Sequence, residues 1–256
     1  RDWGKVLGFH QLAPNLAYVA APLAAEVILA WHSWRMVLCV YGVGSLILSM
    51  GYLRWGRGVV ARDDPSQLTC LGGVLRNPSI WLVTALFTLG MGLNQGVFAV
   101  MPLYLNFERG LDPGWSNRVL ALSRVVAFGV PLVGGWLADR YGVGRVILTT
   151  LAFSAVGVFS TVWLPDPWLW SALILQACAA VSIFPLCFAV ISMVTTPQTR
   201  AVAVSVVVPV AHLLGAGMVP LTIGTLAEAG HFDLGFLALG GLTLICLPFV
   251  PAVSKR

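Results

Sequence analysis

The sequence predicts an all-α, polytopic membrane helix bundle. Three observations point to it. Only 10% of the residues are charged and 58% are hydrophobic, whereas soluble domains run near ~25% charged. The apolar residues fall into eight runs, most of them about 20 residues or longer, the length a helix needs to cross a bilayer. The basic residues collect on alternate sides of those runs. Too few charges remain to cover a water-facing surface, which excludes a soluble enzyme, a disordered chain and a nucleic-acid binder.

The eight spans read as 6–30, 34–54, 80–106, 117–138, 146–164, 168–194, 201–227 and 234–253. Each is too long and too uniformly apolar for a barrel strand, which alternates. Short polar or Pro/Gly-rich pieces separate them, such as Gly110-Leu111-Asp112-Pro113-Gly114 and Pro165-Asp166-Pro167. The one longer break, 55–79, carries Arg57, Arg62, Asp63, Asp64 and Arg76 and reads as a linker between bundles. Pro14, Pro22, Pro131, Pro185, Pro209 and Pro220 lie inside runs, as prolines do in membrane helices. Tryptophans near span ends, among them Trp31, Trp55, Trp163 and Trp168, read as interfacial anchors.

Charge sets the orientation. With a cytoplasmic N-terminus, the cytoplasmic side holds Arg1, Lys5, Arg54, Arg57, Arg62, Arg76, Arg140, Arg145, Arg200, Lys255 and Arg256. The opposite side holds Arg35, Arg109 and Arg118, and Arg124 lies within a span. That asymmetry is the positive-inside pattern. The net charge of +5 is therefore a topology signal.

The five cysteines form no C-x-x-C pair, and no histidine stands at ligand spacing from one. Neither a metal site nor a disulfide framework is expected, and no cofactor. An internal repeat appears at an offset of 198: Leu16, Pro22-Leu23, Gly42 and Leu46-Ile47 fall on Leu214, Pro220-Leu221, Gly240 and Leu244-Ile245. The first span then corresponds to the seventh in the same orientation, a parallel repeat of six helices. With two helices before the linker, four more are expected ahead of Arg1.

The most specific stretch is Gly135-Trp136-Leu137-Ala138-Asp139-Arg140-Tyr141-Gly142-Val143-Gly144-Arg145. It resembles the signature loop of the major facilitator superfamily, G-x-L-A-D-R-x-G followed by a basic residue. The family carries that loop after its second and eighth helices. The basic start, Gly4, Gly8 and Trp34-Arg35 are similar to the family's helices five and six. The resemblance covers the whole chain. It implies eight of twelve helices: 1–54 as the last two of the first bundle, 55–79 as the cytoplasmic linker, and 80–256 as a complete six-helix second bundle. It also implies a secondary transporter working by alternating access, monomeric when full length, in a bacterial inner membrane. Gly135, Asp139, Arg140, Gly142 and Arg145 would form its gating loop, with Asp139 approaching the end of the first span near Gly4. Gly134 and Gly135 allow close helix approach, while Gly142 and Gly144 permit a tight turn. The Gly-Pro-x-x-Gly-Gly pattern of the family's antiporters reads Ala21-Pro22-Leu23-Ala24-Ala25 here, so antiport is not inferred.

Polar residues within spans carry the substrate reading. Arg124 lies about 12 Å deep at 1.5 Å per residue. Either it binds an anionic substrate, or it snorkels outward or pairs with Asp112 or Glu108. Asn94 and Gln95 sit mid-span between Gly92 and Gly96, as cavity lining or as helix–helix glue. His212 lies mid-span, either as a proton carrier or as a neutral ring bonded to a backbone carbonyl. Gln11, Asn15 and Tyr18, with His10, cluster in the first span; Gln176, Ser182 and Ser192 are weaker candidates. The expected substrate is a small organic anion such as a carboxylate, with a proton as the coupled ion. The alternatives are efflux of apolar or drug-like compounds, a passive channel, or an intramembrane enzyme. For the last, no converging nucleophile–base pair is visible.

Overall fold

Helices begin earlier than apolarity alone places them, because proline starts them. Pro78, Pro113 and Pro197 each open a helix, where the missing N–H costs nothing and the fixed φ is already helical. Asn77 and Asp112 cap two of these starts, accepting from the Ser79 and Trp115 amides at 3.0 and 2.8 Å. The computed structural model describes Phe9, residues 12–56 and residues 66–251.

The helices are α1 (Leu12–Leu29), α2 (Trp34–Trp55), α3 (Ser66–Arg76), α4 (Pro78–Glu108), α5 (Pro113–Tyr141), α6 (Val143–Trp163), α7 (Asp166–Val194), α8 (Pro197–Glu228) and α9 (Phe232–Phe249). Seven of them, α2 and α4 to α9, are long and apolar enough to cross a membrane. α1 occupies the span expected at 6–30, whose first residues lie mostly outside the described ones. Among the described residues there is no strand. The break expected at 55–79 is not wholly a loop: α3 lies in it and packs on the start of α8.

The core is built by α4 to α9. α6 packs against α7 and α9, α5 against α7, and α4 against α8 and the second half of α7. Phe87 sits at its centre, edge-on to Phe184 at 5.2 Å and Phe188 at 5.7 Å. Towards the far end of α4, buried Tyr104 packs on Phe232 and Phe236 and donates to the Asp233 carboxylate at 2.9 Å. Arg109 ties that end to the α6–α7 turn, donating to Asp166 at 2.9 Å and to the Val162 and Leu164 carbonyls. α2 buries no residue, and Tyr41 fastens it to α1 through the Ala21 carbonyl at 2.8 Å.

Among the described residues, three stretches are wound as π-helix: Gly92–Gly96 and Tyr104–Glu108 in α4, and His212–Met218 in α8. The first and third pack against each other. A Cβ on Gly96 would lie 2.8 Å from the Gly215 carbonyl, so only glycine allows the two backbones to come this close. α5 is interrupted at Phe128–Gly129 and α7 at Ser182, each just before a proline, Pro131 and Pro185.

Candidate functional site

A π-turn holds one residue more than an α-turn, so its carbonyls accept from i+5 amides, as Gly92 does from Val97. Two side chains add donors to carbonyls of this turn. Gln176 of α7 donates to the Leu93 carbonyl. Arg124 of α5 donates to the Asn94 carbonyl at 2.9 Å and to the Asn94 side-chain oxygen at 2.7 Å.

Arg124 is 5% exposed and lies eleven residues into α5, roughly 16 Å from its start. Its guanidinium rests over the Phe98 ring at 4.0 Å and faces Tyr18 of α1 at 5.5 Å. Tyr18 and Phe98 meet edge-on at 6.2 Å. The Arg124 Nε is buried and has no hydrogen-bond partner among the described residues. A void of about 10 Å³, lined by Phe98, Ser123, Arg124 and Gln176 among others, lies beside it, room for about one water. A charged planar donor with aromatic faces on it and one N–H to spare can grip a small oxyanion.

Four of the residues singled out in the sequence thus converge: Arg124, Asn94, Tyr18 and, among the weaker candidates, Gln176. One alternative for Arg124 pairs it with Asp112 or Glu108. Asp112 instead caps α5, and a neutral amide takes the guanidinium. Gln95, about 100° further round the helix, is half-buried and is not bonded to Arg124. His212 is engaged elsewhere: its Nδ1 lies 2.9 Å from the Val208 carbonyl, and its ring meets Phe184 edge-on at 6.4 Å. Gln11 lies outside the described residues, as does the Asn15 side chain. Phe98 and Ser123 went unread. Phe98 is one turn after Asn94, a spacing that could have flagged it.

The loop between α5 and α6 turns on Gly142, at φ 91°, a conformation glycine alone adopts freely. Gly144, expected to share that role, is inside α6 with an ordinary φ. Gly134 is where helices approach: a Cβ there would fall 3.0 Å from the Ser182 hydroxyl. Gly135 is buried and Asp139 exposed, and both border a cavity of about 280 Å³ with Ser192 and Arg200. Arg140 lies over Trp136 at 5.4 Å and Tyr141 at 5.6 Å, while Arg145 is exposed. Gly4, the partner expected for Asp139, is outside the described residues.

Comparison with known proteins agrees with this architecture. The family profile of the Major Facilitator Superfamily matches residues 1–132 and 119–255. A Mycobacterium tuberculosis protein named "Probable nitrate/nitrite transporter NarK2" is 28% identical over 213 residues, covering 77% of this chain and 53% of that protein. The multidrug resistance protein MdtH of Photorhabdus laumondii is 33% identical over 111 residues, 41% of this chain and 27% of that one. The crystal structure of the E. coli fucose:proton symporter FucP superposes with a TM-score of 0.67 at 17% identity, covering 90% of this chain and 61% of that chain. The chain spans about half the length of NarK2. With the profile matching nearly its whole length, the chain belongs to the Major Facilitator Superfamily.

Proposed function

We propose that this chain is part of a secondary transporter for a small oxyanion of the carboxylate or nitrate type, working by alternating access. The observation that carries the reading is Arg124: a buried guanidinium, faced by two aromatic rings, with its Nε unpaired. An arginine at a helix centre costs about 2.5–3.5 kcal/mol on the insertion scale, so its retention calls for a use. A planar guanidinium suits carboxylate and nitrate alike. The name of NarK2 supports the inorganic member of that class.

In this reading, residues 1–54 belong to the first bundle, 55–79 join the bundles, and 80–256 form the second. Tyr18 reaches Arg124 from α1, so the site draws on both parts. Asp139, Arg140 and Arg145 gate the cytoplasmic side.

Uptake by the full-length protein in liposomes tests it, with nitrate, nitrite, formate and acetate as substrates. At least one anion accumulates, and Arg124→Gln abolishes that uptake while insertion stays normal. Wild-type uptake by Arg124→Gln overturns the anion reading. Movement of apolar cations without anions favours the drug-efflux alternative that MdtH suggests.

A further inference from the structure

α5, α6 and α7 line a further concavity, on the surface of the bundle and separate from Arg124. It is a groove of about 320 Å³, within the size range of ligand sites. Its walls are apolar stripes at helical spacing: Val133 and Leu137 from α5, Val146 and Phe153 from α6, Leu175 and Cys178 from α7. Val133 is 54% and Phe153 56% exposed, so the groove is open on the surface of the described residues. Its floor is the close approach of Gly134 to Ser182, where the absence of a Cβ keeps the groove deep.

Two of these helices carry an arginine just past the last residue that lines the groove. Arg140 follows Leu137 by three residues on α5, and Arg145 precedes Thr149, another lining residue, by four on α6. The first spacing keeps Arg140 on the groove face of α5, while Arg145 precedes Val146 by one residue and stands to the side of the groove's mouth. Both arginines are exposed, and they flank the Gly142 turn. Arg140 is steadied over Trp136 and Tyr141, exposed aromatic residues of the kind found at headgroup depth. From Val146 to Phe153 the groove runs roughly 11 Å along α6, less than the ~15 Å of hydrocarbon in one leaflet. Cation at the rim, apolar wall below, and a depth within one leaflet make the shape of a phospholipid.

We infer that this groove is a binding site for an anionic phospholipid. Its phosphate lies at Arg140 and Arg145, and one acyl chain lies between Val133, Phe153 and Leu175. The inference is independent of the Arg124 reading, since lipid binding and anion uptake are measured separately.

Native mass spectrometry of the full-length protein, titrated with phosphatidylglycerol and with phosphatidylcholine of the same chains, tests it. Phosphatidylglycerol is retained about tenfold more strongly, in keeping with two arginines at a membrane surface. The double variant Arg140→Gln/Arg145→Gln loses that preference. Val133→Phe, which fills the groove and leaves both arginines, lowers phosphatidylglycerol retention by a similar factor. Equal retention of the two lipids by the wild type means an ordinary lipid annulus and overturns the inference. So does phosphatidylglycerol retention that survives Val133→Phe.

Discussion

Arg124 holds Asn94 twice, through the side-chain oxygen at 2.7 Å and the backbone carbonyl at 2.9 Å. One guanidinium therefore bonds a carbonyl of the π-turn and is itself held in place. The same bonds that stabilise α4 aim the proposed anion donor.

Truncating Asn94 separates these two effects. Asn94→Ala removes the side-chain acceptor and leaves the backbone bond. Charge-assisted hydrogen bonds are worth about 1.5–3 kcal/mol, so KM for the anion should rise roughly 10- to 100-fold, with kcat less affected. Uptake kinetics in liposomes check it. An unchanged KM means that Arg124 does not need this acceptor to be positioned.

Gln176 tests the carbonyl argument alone. Gln176→Leu keeps the side chain's bulk and leaves the Leu93 carbonyl without its donor. An unsatisfied buried group costs about 1–3 kcal/mol, a loss expected in thermal or denaturant unfolding in detergent. A variant as stable as the wild type would mean that water or another donor serves the π-turn.

Gly96→Ala forces α4 away from α8, because the new methyl would lie 2.8 Å from the Gly215 carbonyl and 3.0 Å from Val219. Overpacking of this kind costs about 1–3 kcal/mol. Gly129→Ala meets nothing within 4 Å and serves as the control. A drop in Tm for the first and little change for the second is the expected result.

Arg109 and Asp166 should not be equivalent. Asp166 is 54% exposed, and an exposed ion pair contributes about 0–1 kcal/mol. Arg109 also satisfies the Val162 and Leu164 carbonyls at the end of α6. Arg109→Ala should therefore destabilise more than Asp166→Asn, by at least ~1 kcal/mol in unfolding measurements. Equal losses would assign the whole effect to the ion pair.

The spans were legible in the sequence because a membrane asks for one property over one length, and these runs have it. The turn at Gly142 was legible because the glycine spacing of the loop is specific. The helix starts at Pro78, Pro113 and Pro197 were placed late, since proline was counted as a separator rather than as a first helical residue. α3 went unread because its 11 residues are too short for a span and sit among charges. In the site, Arg124 stood out as a charge at depth. Its partner does not, because a cation in a sequence points to carboxylates rather than to a neutral amide. Asn94 is 30 residues away and lies in a π-turn. Nothing in Gly-Leu-Asn-Gln-Gly announces that winding.

The π-turn at Gly92–Gly96 also acts as a register shift. One extra residue in a turn rotates all that follows by about 100° relative to an unbroken α-helix. Phe98, which faces Arg124, and Tyr104, which meets Asp233, both lie beyond that offset. Deleting a single residue between Gly92 and Gly96 would leave the composition of α4 nearly intact, yet it would swing both aromatic rings off their partners at once. In this helix the count of residues, as much as their identity, specifies which side chains face inward.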